Sequence, residues 1–496
     1  MAMEVSRSPA VLSATGNCLR PSAIMNSQAD PASNELQTAR STSPPPSLSP
    51  LFTLPPELLS QILSYLSPRE LATVCETCSY LHEHASNDII WKHIVNHEIS
   101  PPLHSPTPFD SFKSLYITHY PFWFIVRQKI WFSDIANTGK LLIARYNSRT
   151  GAIEAFRVVA KHPAPQKFEV WPHDPRVIIH SFDPDVTPYL DDPVVQLEKS
   201  ASSDRGSVGD WRGREMRMPM ASEAHRIFNN FMLCTKILSA TLTNTSTNAP
   251  KLVWPPLRIP ATERAEVHYP STTSFVMPID DKPMHVDKIC QTAFRLKRWL
   301  QFGTLMTTFD PGTAMDGIST YGTLRAEDYT PTAEKPYRGI WVGDYSGHGP
   351  EFLLVIQRDN TASRATQQPP ATAPDRSSQS YTGPRGRLEA IKLTGDPNVP
   401  RGEITWYAND IGPDGLIRVA DEDIFKNARV VRSMGHIAST NFRNDRFIPS
   451  QLILVSPDCI AHFWTELKHI SYYRRVDVEK LVRCEENEGG RVSPPY

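Results

Sequence analysis

Apolar residues from Leu51 onward follow two different spacings, and the change between them divides the chain. Between 51 and 98 the spacing is helical. Leu58, Leu59, Ile62, Leu63 and Leu66 occupy i, i+1, i+4, i+5 and i+8, one broad helix face. Ser67-Pro68 interrupts that face, and Pro in a first turn permits a new helix. Leu71, Val74, Cys75, Cys78 and Leu81 mark the second face, and Asn87-Asp88 signals a turn before a third short helix with Trp91 and Ile94. Three such helices enclose little core of their own, so a partner surface is expected. From about Phe109 aromatic and β-branched runs predict strands at 123–131, 140–146 and 152–159, with a hairpin loop at 147–151. Eight more strands are predicted at 339–345, 351–357, 387–393, 402–407, 428–433, 451–456, 460–467 and 469–476. Close spacing favours an antiparallel sandwich or barrel. No fixed-period repeat supports a propeller or solenoid. Ile289, Phe294, Leu296, Trp299 and Leu300 predict one amphipathic helix over 287–302. The polar stretches 199–225 and 358–385 read as flexible insertions.

The expected fold class is therefore α+β. A Ser/Pro-rich disordered tail (1–50) precedes a small three-helix unit (51–98), a large, mainly antiparallel, barrel-like β domain (99–480) and a flexible C-terminal tail (481–496). In the N-terminal tail Ser8, Ser43 and Ser49 each precede Pro, the pattern that proline-directed kinases use, although composition alone produces such pairs there.

Composition narrows the function. The 496 residues hold 45 Pro and 23 Gly, which disfavours long helices. Charges nearly cancel, 52 basic against 53 acidic, so neither a nucleic-acid nor an anionic-membrane partner is expected. No 18-residue apolar run predicts a spanning helix, and the N-terminus lacks a secretory h-region. Seven Cys form no disulfide scaffold and fit reduced thiols in the cytoplasm or nucleus.

Residues 54–94 resemble the F-box, through Leu54, Pro55, Glu57, Leu58, Leu59, Ile62, Leu63, Tyr65, Leu66, Leu71, Val74, Cys75, Leu81 and Trp91. The resemblance implies docking onto a Skp-type adaptor, and through it onto the cullin and RING subunit of a ubiquitin ligase. It assigns the adaptor contact to Leu54, Pro55, Leu58, Ile62, Leu66, Leu71, Val74, Cys75, Leu81 and Trp91. The segments 339–357, 388–406, 430–438 and 459–477 resemble the substrate domain of cyclin-D-binding F-box proteins. The blocks PFWFIVRQKIWFSD, GKLLIARYNSRTG and HRIFNNFMLCT resemble the fungal branch of that group. This second resemblance implies a barrel that binds a protein or peptide substrate, in animal members at a C-terminal end.

Sharper chemistries are weaker. Cys75 and Cys78 with His82 and His84 have zinc-like spacing, but both Cys fall on one apolar helix face where core packing explains them. Ser346 and His348 invite a nucleophile reading, yet Asp344 stands where an esterase elbow needs Gly. The same Gly-rich stretch lacks the GK[ST] of a phosphate loop. His436, His462 and His469 read as satisfied sheet histidines, and 421–423 as a solvated acidic loop. Two turns carry the candidate substrate contacts: Tyr345, Ser346, His348 and Glu351 in one, Thr394, Asn398 and Arg401 in the other. Arg401 offers a planar fork for a carboxylate or carbonyl. No catalytic residue, metal or cofactor is expected. The reading is a non-catalytic substrate receptor of an SCF-type ligase. A scaffold acting outside the ligase and a small-molecule enzyme carrying an F-box remain as alternatives.

Overall fold

The computed structural model describes residues 50–162, 167–198, 216–218, 227–236, 283–302, 305–308, 317–359 and 383–483. The expected tail before Pro50, most of both insertions and the chain after 483 lie outside the described residues. Pro50–Thr53 form a 3-10 turn that ends the first of two units, Met1–Pro55. The second unit, Pro56–Tyr496, begins with helices α1 (Pro56–Ser64), α2 (Pro68–Cys75), α3 (Ser79–Ala85) and α4 (Asp88–Glu98).

Four helices stand where the spacing predicts three. Ser67 and Glu70 close a capping box at the start of α2, with Pro68 in its first turn. The second predicted face then breaks at 76–78. Thr77 Oγ1 donates back to Val74 O at 2.8 Å, and Cys78 is extended (φ −160°, ψ 163°) as it opens α3. Periodicity persists across the break because a three-residue interruption nearly preserves the phase. Leu59, Leu63, Leu71, Leu81, Ile90, Trp91 and Val95 are buried between the helices.

A fifth helix, α5 (Phe112–His119), packs on α4. Asp88 Oδ1 accepts from Phe112 N at 2.7 Å, Trp91 meets Tyr116 with centroids 5.5 Å apart, and Glu98 pairs with Arg127 at 3.2 Å. Arg127 lies in α6 (Phe124–Gln128), inside the run predicted as a strand at 123–131. Phe124, Ile125 and Val126 are all buried, so the apolar run reflects enclosure on every side rather than a strand. Lys129 (φ 59°) then turns the chain into the first strand.

The strands in chain order are β1 (Ile130–Ser133), β2 (Leu141–Asn147), β3 (Ala152–Lys161), β4 (Phe168–Val170), β5 (Ile178–His180), β6 (Asp185–Leu197), β7 (Met216–Met218), β8 (Ile227–Thr235), β9 (Ile289–Phe302), β10 (Leu305–Thr308) and β11 (Ile318–Thr323). After them come β12 (Gly339–Asp344), β13 (Pro350–Arg358), β14 (Arg387–Lys392), β15 (Ile404–Ala408), β16 (Leu416–Val419), β17 (Arg429–Ser439), β18 (Arg443–Ser456), β19 (Cys459–Trp464) and β20 (His469–Arg475). The first sheet is a half-barrel in the order β6-β3-β2-β1-β11-β9-β8-β7, with β10 on β9. The second runs β12-β13-β14-β15-β17-β18-β19-β20 and closes because β12 also pairs β20, giving an eight-stranded antiparallel barrel. Gly343 permits the closure: a Cβ there would stand 2.3 Å from the Tyr473 ring.

The helix predicted over 287–302 is instead β9, hydrogen-bonded to β8 on one side and β11 on the other. Two neighbouring strands outweigh a helical apolar spacing, which is only a local signal. Strand β7 lies inside the stretch read as an insertion at 199–225. The C-terminal helix Val478–Arg483 buries Leu481 and Val482, so the packed chain continues past the expected end at 480. Those two side chains join Ile130, Phe132 and Ile143 of the half-barrel and Ile340, Val342 and Leu354 of the barrel in one shared core. Among the described residues no helix is long and apolar enough to cross a membrane.

Candidate functional site

Two places in the second unit leave chemistry unfinished. The first is the outer face of the helices. Leu58 (48% exposed), Ile62 (45%) and Tyr65 (80%) recur at i, i+4 and i+7, and Ile89 (76%) opens α4. Apolar side chains in helical register but in water are what a partner surface covers. The ten residues assigned by resemblance separate into groups. Leu71, Leu81 and Trp91 are buried and hold the helices together, Trp91 donating to Ala85 O at 2.9 Å. Leu54, Leu66, Val74 and Cys75 are half-buried, while Pro55, Leu58 and Ile62 are exposed. Tyr65 and Ile89 were absent from the sequence assignment, although the spacing from Ile62 to Tyr65 was there to find.

The packing explanation fails for Cys78, which is exposed at the start of α3. Cys75 Sγ lies 3.6 Å from both Ser86 Oγ and Lys113 Nζ.

The second place is one end of the barrel. Antiparallel alternation puts the turns 345–349, 393–403, 440–442 and 465–468 at the same end, so both predicted substrate turns frame one mouth. His348 Nε2 and Asn398 Nδ2 approach to 3.4 Å across it, and both side chains are exposed or nearly so. Tyr345 turns inward: its hydroxyl meets Thr405 Oγ1 at 2.9 Å, and its ring lies 4.3 Å from Lys392 Nζ. Ser346 lies in the 3-10 turn Ser346–His348. Glu351, Lys392 and Asp396 form a buried cluster just inside the rim, with Lys392 Nζ 2.7 Å from each carboxyl.

Thr394 and Arg401 point elsewhere. Thr394 Oγ1 accepts from Phe352 N at 2.9 Å and pins the loop to β13. Arg401 does use its planar fork on carbonyls, but on this chain's own Asp134 O and Ile135 O, both at 2.9 Å, tying the mouth loop to the half-barrel.

Behind the mouth the barrel interior is partly polar. Ser433 and Ser450 hydroxyls meet at 2.8 Å, and Trp464 donates to Ser471 Oγ at 3.1 Å. His462 is fully buried and neither ring nitrogen has a hydrogen-bond partner, so it is not the satisfied histidine that its strand position suggested. Burial holds its pKa well below the usual imidazole range and keeps it neutral. Tyr473 Oη and Trp406 Nε1 are likewise buried without a hydrogen bond of good geometry. Their rings lie 6.2 and 6.0 Å from the His462 ring. Two donor side chains and a neutral imidazole therefore neighbour one another inside the barrel. His436 differs: its nitrogens meet Ile404 O at 2.8 Å and Asp445 Oδ2 at 3.1 Å. Nor is the acidic run simply solvated, because Glu422 takes both terminal nitrogens of Arg418 at 2.8 Å and a bond from Trp171 Nε1 at 3.2 Å. Among the described residues no group of three or more His, Cys, Asp or Glu is placed to hold a metal ion.

Comparison with known proteins fits this division. Residues 51–97 match the F-box-like family and residues 321–480 match the Cyclin D1 binding domain family. Two curated relatives are similar over a shorter stretch. Protein EXECUTER 2, chloroplastic, of Arabidopsis thaliana is 30% identical over 122 residues, and its counterpart of the same name in Oryza sativa subsp. japonica is 28% identical over 123. Each alignment covers 24% of this chain and 17% of the relative, so the chain spans about a sixth of their length. The two family matches together are those of an F-box protein of the cyclin-D-binding group.

Proposed function

We propose that this F-box protein is the substrate-recognition subunit of an SCF ubiquitin ligase, working in the cytoplasm or nucleus. The F-box match supports a substrate-receptor role in general and a Skp-type adaptor as partner. The cyclin D1 binding domain match points to protein partners for the barrel. In the full reading the face around Leu58, Ile62, Tyr65 and Ile89 seats on the adaptor and so reaches cullin and the RING subunit. The barrel mouth holds a protein or peptide segment, with a chain end entering toward His462, Tyr473 and Trp406. His348, Asn398 and Tyr345 line the way in. The protein then contributes effective concentration rather than acid–base chemistry: it holds substrate lysines near the charged conjugating enzyme.

The observation that carries this is the coupling of the two places. Asp88 to Phe112, Trp91 to Tyr116 and Glu98 to Arg127 lock α4 to α5 and α6, and α6 continues into β1 of the half-barrel. A substrate at the mouth is thereby held at a set distance from whatever binds the helices. Co-purification tests it. Full-length protein should bring down adaptor and cullin together, and a reconstituted ligase should ubiquitinate a captured substrate only when the chain is present. Adaptor without cullin would favour the scaffold reading.

A further inference from the structure

We propose that Glu351 is a positioning residue for the mouth: with a proton on its carboxyl it bridges to Asp396 and locks the 393–403 loop against β13, and the loop loosens when that proton leaves. The consequence for capture rests on the mouth being the substrate site; the lock itself does not.

The geometry starts from a charge count. Lys392 is 1% exposed, Glu351 3% and Asp396 6%, so one ammonium is enclosed with two carboxyls. Lys392 Nζ donates to Asp396 Oδ2 at 2.7 Å. Glu351 Oε2 stands at the same 2.7 Å from Nζ, yet neither of its oxygens accepts a hydrogen bond of good geometry. The ammonium thus hydrogen-bonds Asp396 and pairs with Glu351 through charge, one cation for two buried carboxyls. Two buried carboxylates facing one ammonium are costly, and neighbouring carboxyls tolerate burial when they share a proton. Burial, with Asp396 adding to it, raises the pKa of Glu351 to about 8 against the opposing pull of Lys392; for Asp396 burial is outweighed by Lys392 and the bond shared with Glu351, and its pKa is lowered. Among the described residues Tyr345 from the 345–349 turn and Tyr473 from β20 also face Glu351, both held neutral by burial.

Asp396 passes this state to the loop. Its Oδ1 accepts from Asn398 N at 2.5 Å and Val399 N at 2.9 Å, which sets the turn that brings Asn398 to His348. Glu351 belongs to β13, so the shared proton joins the loop to the barrel wall. Once Glu351 ionises, two carboxylates compete for one ammonium, and Asp396 is pushed away from the strand that anchors it.

Hydrogen exchange on the full free chain reads this without any substrate. Protection factors of the Asn398 and Val399 amides, corrected for intrinsic rate, should fall at least about tenfold between pH 7 and pH 9 in the wild type. Glu351→Gln keeps a donor but cannot ionise, so its factors should hold within about threefold over the same range. Glu351→Ala should lower them at both pH values. The Leu353 amide in β13 is the control and should not change. Equal pH dependence in wild type and Glu351→Gln overturns the proposal, as does full protection in Glu351→Ala. If the lock behaves as described but reconstituted ubiquitination fails, the proposed function falls and the lock stands.

Discussion

The helical face and the barrel interior are incomplete in opposite ways. Around Leu58, Ile62, Tyr65 and Ile89 folding has left apolar surface in water. Around His462, Tyr473 and Trp406 it has left polar atoms out of water. Both states are unfavourable alone, the first by roughly 25 cal/mol for each Å² left exposed, the second by about 1–3 kcal/mol for each unpaired group. The remedies differ. Exposed apolar surface is completed by a broad apolar partner whose exact polar chemistry matters little, whereas buried polar atoms are completed only by a group with donors and acceptors in matching places.

The largest expected effect breaks the first half of that contrast. Ile62→Asp puts a charge into the apolar face without touching the buried residues beside it. Adaptor affinity should fall at least about 30-fold, roughly 2 kcal/mol at a central anchor, with the unfolding midpoint unchanged. Leu63→Ala, at a position 4% exposed, should do the reverse and cost about 2–5 kcal/mol of stability. Calorimetric titration with purified adaptor, beside thermal unfolding, separates the two; equal losses of affinity from both would mean the face is not the docking surface.

The second prediction addresses the barrel interior. Trp406→Phe removes Nε1, which lacks a hydrogen bond of good geometry, while keeping most of the ring's volume. Stability should stay within about 1 kcal/mol, because the lost donor was making no bond of good geometry. Capture of a substrate peptide should weaken about tenfold if that donor is completed by the ligand. Unaltered affinity, measured by fluorescence anisotropy, would move the site away from the barrel interior. Arg401→Ala should behave in the opposite sense. Its two bonds to Asp134 O and Ile135 O hold the mouth loop to the half-barrel, so about 2 kcal/mol of stability should go. Denaturant unfolding checks it, and an unchanged midpoint would return Arg401 to the list of substrate contacts.

The same contrast explains what the sequence could and could not disclose. The eight predicted strands from 339 onward all fall on barrel strands, because each is a short apolar or aromatic run that is legible locally. The helical face was legible for the same local reason. The enclosed cluster was not. Lys392 to Asp396 is four residues, but Glu351 is contributed by another strand, and no spacing announces that contact. Similarly β9 looked helical because its partners β8 and β11 are remote in sequence. Thr394 and Arg401 carry polar groups of the right kind for a loop contact, but which way a side chain points depends on what packs beside it. Here that is β13 and the half-barrel.

The last effect concerns the rim, where a titrating group tests how closed the barrel end is. His469 opens β20 and lies against His180, with ring centroids 5.4 Å apart, and stacks on Trp464 at 6.1 Å. Burial first, then His180, push its pKa down from 6.5 to about 4, with Asp344 acting weakly the other way. Its folded value lies below its unfolded one, so the unfolded chain binds the proton more readily. The contribution is therefore fully present above pH 6.5 and is lost as pH falls toward 4. Allowing for the part of the ring that solvent screens, about 2 kcal/mol should disappear across that window. His469→Gln cannot titrate and should flatten the corresponding part of the stability curve, leaving the share due to His462, which burial shifts in the same direction. Urea unfolding at half-unit steps from pH 7 to pH 4 measures both curves. Parallel curves would mean that water reaches His469 freely, that the barrel end is open at the β19–β20 turn, and that the barrel interior behind it is less enclosed than its buried polar atoms indicate.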